Sequence, residues 1–423
     1  MTAIHGKNKY RRTKLACYST NITMALAGNV PPLLFLTFRE TFGISYSLLG
    51  LLVVVNFITQ LIVDLIFSFF SDKFNIPAAV KTSPVLSVLG LGIFALWPTL
   101  SPESAYIGLV IGTIIFSAAC GFNEVLISPV IAAIPAKDPD REMSKLHSIY
   151  AWGVVVMIVI STVFLTVFGG ENWNILIFIL LCVPAASFFL FIGAEIPEKL
   201  SSEKVDGVGK FLKRPVLWLC FFAIFLGGAS ECTMAQWMSG FLETSLNIPK
   251  IWGDILGAAL FAVALGLGRT LYSKFGKNIG RVLFFGAVGA TICYLIAALS
   301  DLPILVLPAS AFTGFCVSMM WPGSLVVASN RIADGGVFIF AMMAAGGDLG
   351  ASVGPQLIGV ITDIISSSDT AATAAATMGL TPEMLGMKAG MLTAAIFPLV
   401  ALPIYFYIMR SGKKYNAQNG SKH

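Results

Sequence analysis

Four carboxylates stand inside long apolar runs of this chain: Asp64, Glu124, Glu231 and Asp348. A charge in hydrocarbon is costly, so such a group carries a proton, pairs with a cation or lines a polar path. Counted along their helices from the basic ends of the runs, Glu124 and Asp348 lie about 16 and about 18 Å deep, near a bilayer midplane. Asp64 falls at about 10 Å and Glu231 at about 25 Å on the same count. A carboxylate held at such depth can alternate between protonated and ionised forms, which is what coupling to protons requires. Glu124, Asp348 and Glu231 are the candidates for that chemistry. Intramembrane cations to pair with Glu124 are few: Arg269 near one end of its run and His147 at the start of another. Shallow Asp64 is expected to clamp an inner gate with Arg269 or with loop charges.

The elements that must position these residues are transmembrane helices. With 57% apolar and 12% charged residues and a mean hydropathy of +0.84, 423 residues are too apolar for a soluble fold. All but three of the 27 Lys and Arg residues fall in every second gap between the apolar runs; Arg39, Lys250 and Lys388 are the exceptions. Basic loops stay on the cytoplasmic side, so both termini are expected inside and the number of spans even. Roughly 20 residues per span give twelve helices between residues 15 and 409. The longest polar stretch divides them into a bundle over 1–195, a central cytoplasmic loop over 196–214 and a bundle with its tail over 215–423. The net charge of +5 follows from this bias, and no basic stripe with interleaved aromatics suggests nucleic acid. Seven Cys residues without ligand spacing read as small core residues, and neither a metal nor a cofactor is expected. The glycines Gly346, Gly347, Gly350 and Gly354 ahead of Pro355 suit either close helix packing or a hinge. They lack the Lys-Ser/Thr of a nucleotide loop.

The halves echo each other. Gly121-Phe122 precedes Pro129 at the same intervals as Gly314-Phe315 precedes Pro322, and Ser71-Asp72-Lys73-Phe74 is matched more loosely by Tyr272-Ser273-Lys274-Phe275. A duplicated six-helix unit with a central loop resembles the plan of the major facilitator superfamily. Asp72-Lys73 resembles a degraded form of that superfamily's loop motif, which implies a gating role. GFNEVLISPVIAAI around Glu124 and Pro129 resembles the fourth helix of the fucose permease group of sugar:proton symporters. KLHSIYAWG resembles that group's fifth-helix start and places His147 where the group has a sugar-contacting Gln. GGASECTMAQW with Glu231 and SMMWPGSL with Trp321-Pro322 resemble its seventh and tenth helices. The group's first-helix acid has no counterpart, since Asn29, Pro31 and Pro32 stand there; Glu231 or Asp348 would supply a second site.

A sugar site needs flat apolar faces for the pyranose C–H groups and amides or carboxylates for its hydroxyls. Tyr150, Trp152, Trp237 and Trp321 are the aromatic candidates, with Asn29, Asn123, Gln236 and His147 as polar partners. Trp97, Trp173, Trp218 and Trp252 sit at span ends and read as interface anchors. The expected function is therefore secondary transport of a small polar solute, a sugar, across the plasma (inner) membrane. Protons drive it, and a monomer performs it by alternating access. Fifteen Met and 32 Phe residues and the missing first-helix acid keep open a proton-driven exporter of amphipathic drugs or metabolites. A polytopic membrane enzyme is the distant alternative, because such enzymes use His-rich or paired Asp motifs. This chain has three His, two of them at its termini.

Overall fold

The computed structural model describes residues 9–70, 74–135, 139–197, 211–276, 278–332 and 336–419. Asp72 and Lys73 lie outside them, as does the side chain of His147 within its helix. The chain is helical throughout the described residues. In chain order the spans are α1 (Arg11–Leu33, continued by Phe35–Phe42), α2 (Tyr46–Phe70), α3 (Ile76–Leu100), α4 (Ala105–Ala133), α5 (Pro139–Phe168) and α6 (Trp173–Leu180, continued by Cys182–Phe191). They are followed by α7 (Pro215–Leu246), α8 (Lys250–Trp252 through Leu260–Phe275), α9 (Ile279–Leu299), α10 (Pro303–Val317, continued by Met320–Arg331), α11 (Gly336–Ser366) and α12 (Pro382–Ala394, continued by Ile396–Asn419). Ten of these are long and apolar enough to cross a membrane, and the two parts of α1 make an eleventh across a 48° bend. In α5 the apolar helical stretch, Trp152–Phe168, is shorter than a full span, so the described residues give up to eleven spans where the sequence reading had twelve. A further helix, Asp369–Thr377, precedes α12 and starts at Ser368, whose side chain accepts the Ala371 N–H.

The bend in α1 has a covalent cause. Pro31 and Pro32 carry no N–H, so two successive helical hydrogen bonds are missing one turn before the break at Leu34. Past the bend, Phe38 meets Trp173 edge-on at 5.0 Å between ring centroids, and Phe42 and Phe94 complete the cluster. Trp173 is only 3% exposed. It is a core residue and not the interface anchor its place at a span end suggested; Trp97, Trp218 and Trp252 are exposed as anchors should be.

Two compact units divide the chain: Met1–Ile44 with Val55–Glu203, and Ser45–Val54 with Lys204–His423. Lipid tails are as apolar as Leu, so helices in a membrane associate by close backbone approach rather than by hydrophobic burial. In the first unit, α3 and α4 meet at glycines. A Cβ at Gly90 would stand 2.4 Å from the Phe116 nitrogen, and one at Gly112 would stand 2.7 Å from the Phe94 nitrogen. Ser83 reaches across the same pair to donate to the Ala119 carbonyl and to Asn123. Arg12 donates to the carbonyls of Leu190 and Phe189 near the end of α6, satisfying acceptors the helix leaves open.

In the second unit, α7 and α11 pack through the glycine cluster. Added Cβ atoms at Gly350 and Gly354 would lie 2.0 Å from the Phe225 carbonyl oxygen and 2.1 Å from Thr233 Oγ1. Of the two uses read for this cluster, close packing accounts for both positions. Tyr294 and Tyr405 tie α9 and α12 to α7 by donating to the carbonyls of Ser230 and Ala223, each at 2.8 Å. Asp363 accepts the N–H groups of Tyr46 and Ser47 at 3.0 and 2.6 Å, placing a carboxylate at the first turn of α2. One turn of α8, Gly253–Ala259, is a π-helix that carries the buried Asp254, to which Ser239 donates.

These contacts make glycine substitutions position-specific. Gly90→Ala should lower thermal stability in detergent by about 1–3 kcal/mol through overpacking against backbone. Gly92→Ala, where nothing lies within 4 Å, should leave the melting temperature within error of the parent protein.

Candidate functional site

Glu231 on α7, Arg269 on α8 and Ser318 in the break of α10 form one connected group in the second unit. The Arg269 guanidinium holds both Glu231 oxygens, at 2.9 and 3.1 Å, and its Nε donates to the Ser318 carbonyl at 3.1 Å. That carbonyl is available for a sequence reason. In a continuous helix it would accept from residue 322, but Pro322 has no N–H. Arg269 therefore supplies the donor that Pro322 withholds, and α10 is interrupted at that point. Arg269, expected to clamp Asp64, is engaged in this way by Glu231 and Ser318.

Trp321, next to the break, lies over glycine. Its indole occupies the space where side chains at Gly347 and Gly228 would point, with ring atoms 2.4 and 3.1 Å from those Cβ positions, and the residue is half-buried. Asp348 follows Gly347 on α11 and is 2% exposed. Cys232 stands within electrostatic reach of Glu231, Asp348 and Arg269, so these charges gather at one level of the unit. Trp237 is 1% exposed and donates its indole N–H to the Pro355 carbonyl at 2.8 Å, so its polar tip is spent on the protein. Gln236 beside it is buried, with no hydrogen bond at its side-chain oxygen among the described residues.

In the first unit Asp64 and Glu124 come together. One oxygen of each lies within 4.8 Å of the other. The approach follows from Gly121, where a Cβ would stand 2.8 Å from Val63 Cβ and 3.2 Å from the Gln60 carbonyl oxygen. With α2 and α4 in backbone proximity there, the next residue of α2 and the next turn of α4 bring the carboxylates into range. Counting depth from span ends separated the two; it could not register where the helices touch. In the echoing position of the second half, a Cβ at Gly314 would stand 2.2 Å from the Phe261 carbonyl oxygen of α8, so both echo glycines are closest-approach points.

The remaining candidates are placed as follows. Asn29 is half-buried and donates to the Ala25 carbonyl, while Asn123 is buried, accepts from Ser83 and has no hydrogen bond at its amide nitrogen among the described residues. Tyr150 is half-buried and Trp152 is 65% exposed. Sequence reasoning did not single out Asp254 or Asp363. A carboxylate two or three residues into a polar-flanked span end looks like loop charge, and only its partners reveal otherwise.

The Glu231–Arg269 pair is partly desolvated, so breaking one partner strands the other. Arg269→Met and Glu231→Gln should each lower the melting temperature, and the double variant should lose less than the sum. A coupling of about 1–3 kcal/mol is the size expected for charges in direct contact.

No curated protein matches the chain by sequence. Solved structures match its fold. The nucleoside transporter NupG superimposes with a TM-score of 0.71 at 12% identity, covering 93% of this chain and 99% of that one. A D-xylose-proton symporter gives 0.67 at 17% identity, covering 93% and 98%. The fucose:proton symporter FucP of E. coli gives 0.61 at 14% identity, covering 95% and 99%. Residues 16–355 match the family model of the Major Facilitator Superfamily. With most of its helices inside that match, the protein belongs to the Major Facilitator Superfamily, as a multi-pass membrane protein that moves small molecules and is not an enzyme.

Proposed function

We propose that this protein is a proton-coupled symporter of a sugar, working by alternating access in the plasma (inner) membrane with both termini cytoplasmic. The single observation that carries the reading is Asp64 beside Glu124: two carboxylates within 4.8 Å on apolar helices, with no ion-pair partner for either among the described residues. A transporter that needed these groups only for structure would pair them, as Glu231 is paired with Arg269. Glu124 is the proton-linked carboxylate in this reading. Asp348 is its counterpart in the second unit, and the Glu231–Arg269 pair answers changes of charge near it. A sugar is the solute favoured by half-buried Trp321 and Tyr150, exposed Trp152, and the amides of Asn29, Asn123 and Gln236. The xylose and fucose symporters with the same fold lend support by analogy of architecture alone.

The test is uptake of radiolabelled pentoses and hexoses by proteoliposomes, with and without an imposed pH gradient. An inward proton gradient should drive at least one sugar above its equilibrium level. Accumulation of no sugar, together with gradient-driven extrusion of amphipathic cations, would replace the reading by drug export.

Glu124→Gln should abolish accumulation yet retain exchange of solute at zero gradient; normal accumulation by this variant removes Glu124 from the mechanism. Trp321→Ala should weaken solute binding by roughly 10-fold, the scale of one lost aromatic contact of about 1.4 kcal/mol. Trp218→Ala, an exposed span-end residue, should bind as the parent protein does.

A further inference from the structure

Asp64 is 3% exposed, and neither of its side-chain oxygens has a hydrogen-bond partner among the described residues. An ionised carboxylate stripped of water and left without donors is unfavourable by several kcal/mol, and a second carboxylate within 4.8 Å adds repulsion. Two such groups cannot both stay ionised and unoccupied. Either one proton sits between them or a metal cation does. Glu124 is half-buried where Asp64 is enclosed, so the two members of the pair differ in exposure.

We infer that Asp64 and Glu124 form a single site for one monovalent cation, a proton or a sodium ion, with Asp64 as a ligand and not a gate. This rests on the reading of Glu124 as the coupling carboxylate and identifies its partner on α2. The two carboxylates offer oxygen donors, which suit a proton or a hard cation better than a soft metal. Exchange between the two occupants is balanced: the singly protonated pair takes up Na+ and releases H+, and the pair's net charge of −2 without a cation becomes −1 with either one. Other titratable groups bear on the pair. Cys120 on α4 lies within electrostatic reach of Glu124. On α5, His147 belongs to the helix that packs beside α4, although its side chain lies outside the described residues. The charged groups described on α1 and α3, among them Arg12 and Lys81, sit at or near the helix ends, and Trp173–Phe191 of α6 carries none.

The experiment is infrared difference spectroscopy of the purified full-length protein in detergent, following the carbonyl stretch of protonated carboxyl groups through a pH titration. It is run in choline chloride and again in sodium chloride. The parent protein should show a titrating band that Asp64→Asn and Glu124→Gln each remove or shift in midpoint by about one pH unit or more, as expected for a coupled pair. Asp64→Glu, which keeps the carboxylate and guards against misfolding of the amide variant, should retain the band at a shifted midpoint. If sodium is an occupant, sodium chloride lowers the band at fixed pH and the loss disappears in Asp64→Asn; if the proton alone is, the band is the same in both salts. A band unaltered in amplitude and midpoint by Asp64→Asn and by Asp64→Glu overturns the proposal, as does one altered by Asp348→Asn but by neither Asp64 variant. The spectra need no solute and no gradient. A pair that titrates in a protein without proton-driven uptake leaves this site standing and removes the symport reading; proton-driven uptake without an Asp64-dependent band does the reverse.

Discussion

Backbone approach at glycine is the constraint on which the rest of this molecule depends. In a bilayer the hydrophobic effect does not distinguish a helix neighbour from a lipid tail, so stable pairs form where backbones can touch. Gly90 and Gly112 do this for α3 and α4, and Gly350 and Gly354 for α7 and α11. Gly121 does it for α2 and α4, and there packing becomes chemistry. The absent side chain lets Val63 sit against α4, and the adjoining Asp64 and Glu124 are brought within 4.8 Å. A bulky residue at 121 would separate the carboxylates as well as the helices.

The two units handle intramembrane charge in opposite ways. In the second, Arg269 neutralises Glu231 and fills the hydrogen-bonding gap left by Pro322, so one guanidinium holds α7, α8 and the interruption of α10 together. A planar fork with donors at fixed angles suits that double task better than a Lys ammonium would. In the first unit the described residues contain no such cation for Asp64, and its oxygens lack hydrogen bonds. A charge that is permanently answered stabilises an architecture. One that is not answered by protein is available to an ion that comes and goes.

Tryptophan shows how local context decides the role of a single residue type. Trp97 and Trp218 direct their indole N–H groups to Ser104 and the Leu212 carbonyl at the ends of spans, and both are exposed. Trp173, at an equally terminal position, is enclosed by Phe38, Phe42 and Phe94 because the proline bend in α1 directs two of those rings to it. Trp321 lies on two glycines, an arrangement that holds an indole in place while leaving it half-buried.

Hydropathy and the alternation of basic loops were sufficient to establish an all-helical membrane protein, because both follow from the cost of polar groups in hydrocarbon and are written residue by residue. The acidic candidates were legible for the same reason: Asp64, Glu124, Glu231 and Asp348 stand out against apolar neighbours whatever the fold. The echoing glycines were visible as a pattern but not as contacts. Which acids meet, and which meet a cation, was decided only in three dimensions. Depth along one helix says nothing of where two helices touch, so the proximity of Asp64 to Glu124 could not be read from it. Arg269 read as one of the partners of Asp64 although Pro322, more than fifty residues further on, frees the Ser318 carbonyl that helps to hold it. Pairing is a property of helix placement, and helix placement depends on small residues whose effect is felt on other helices.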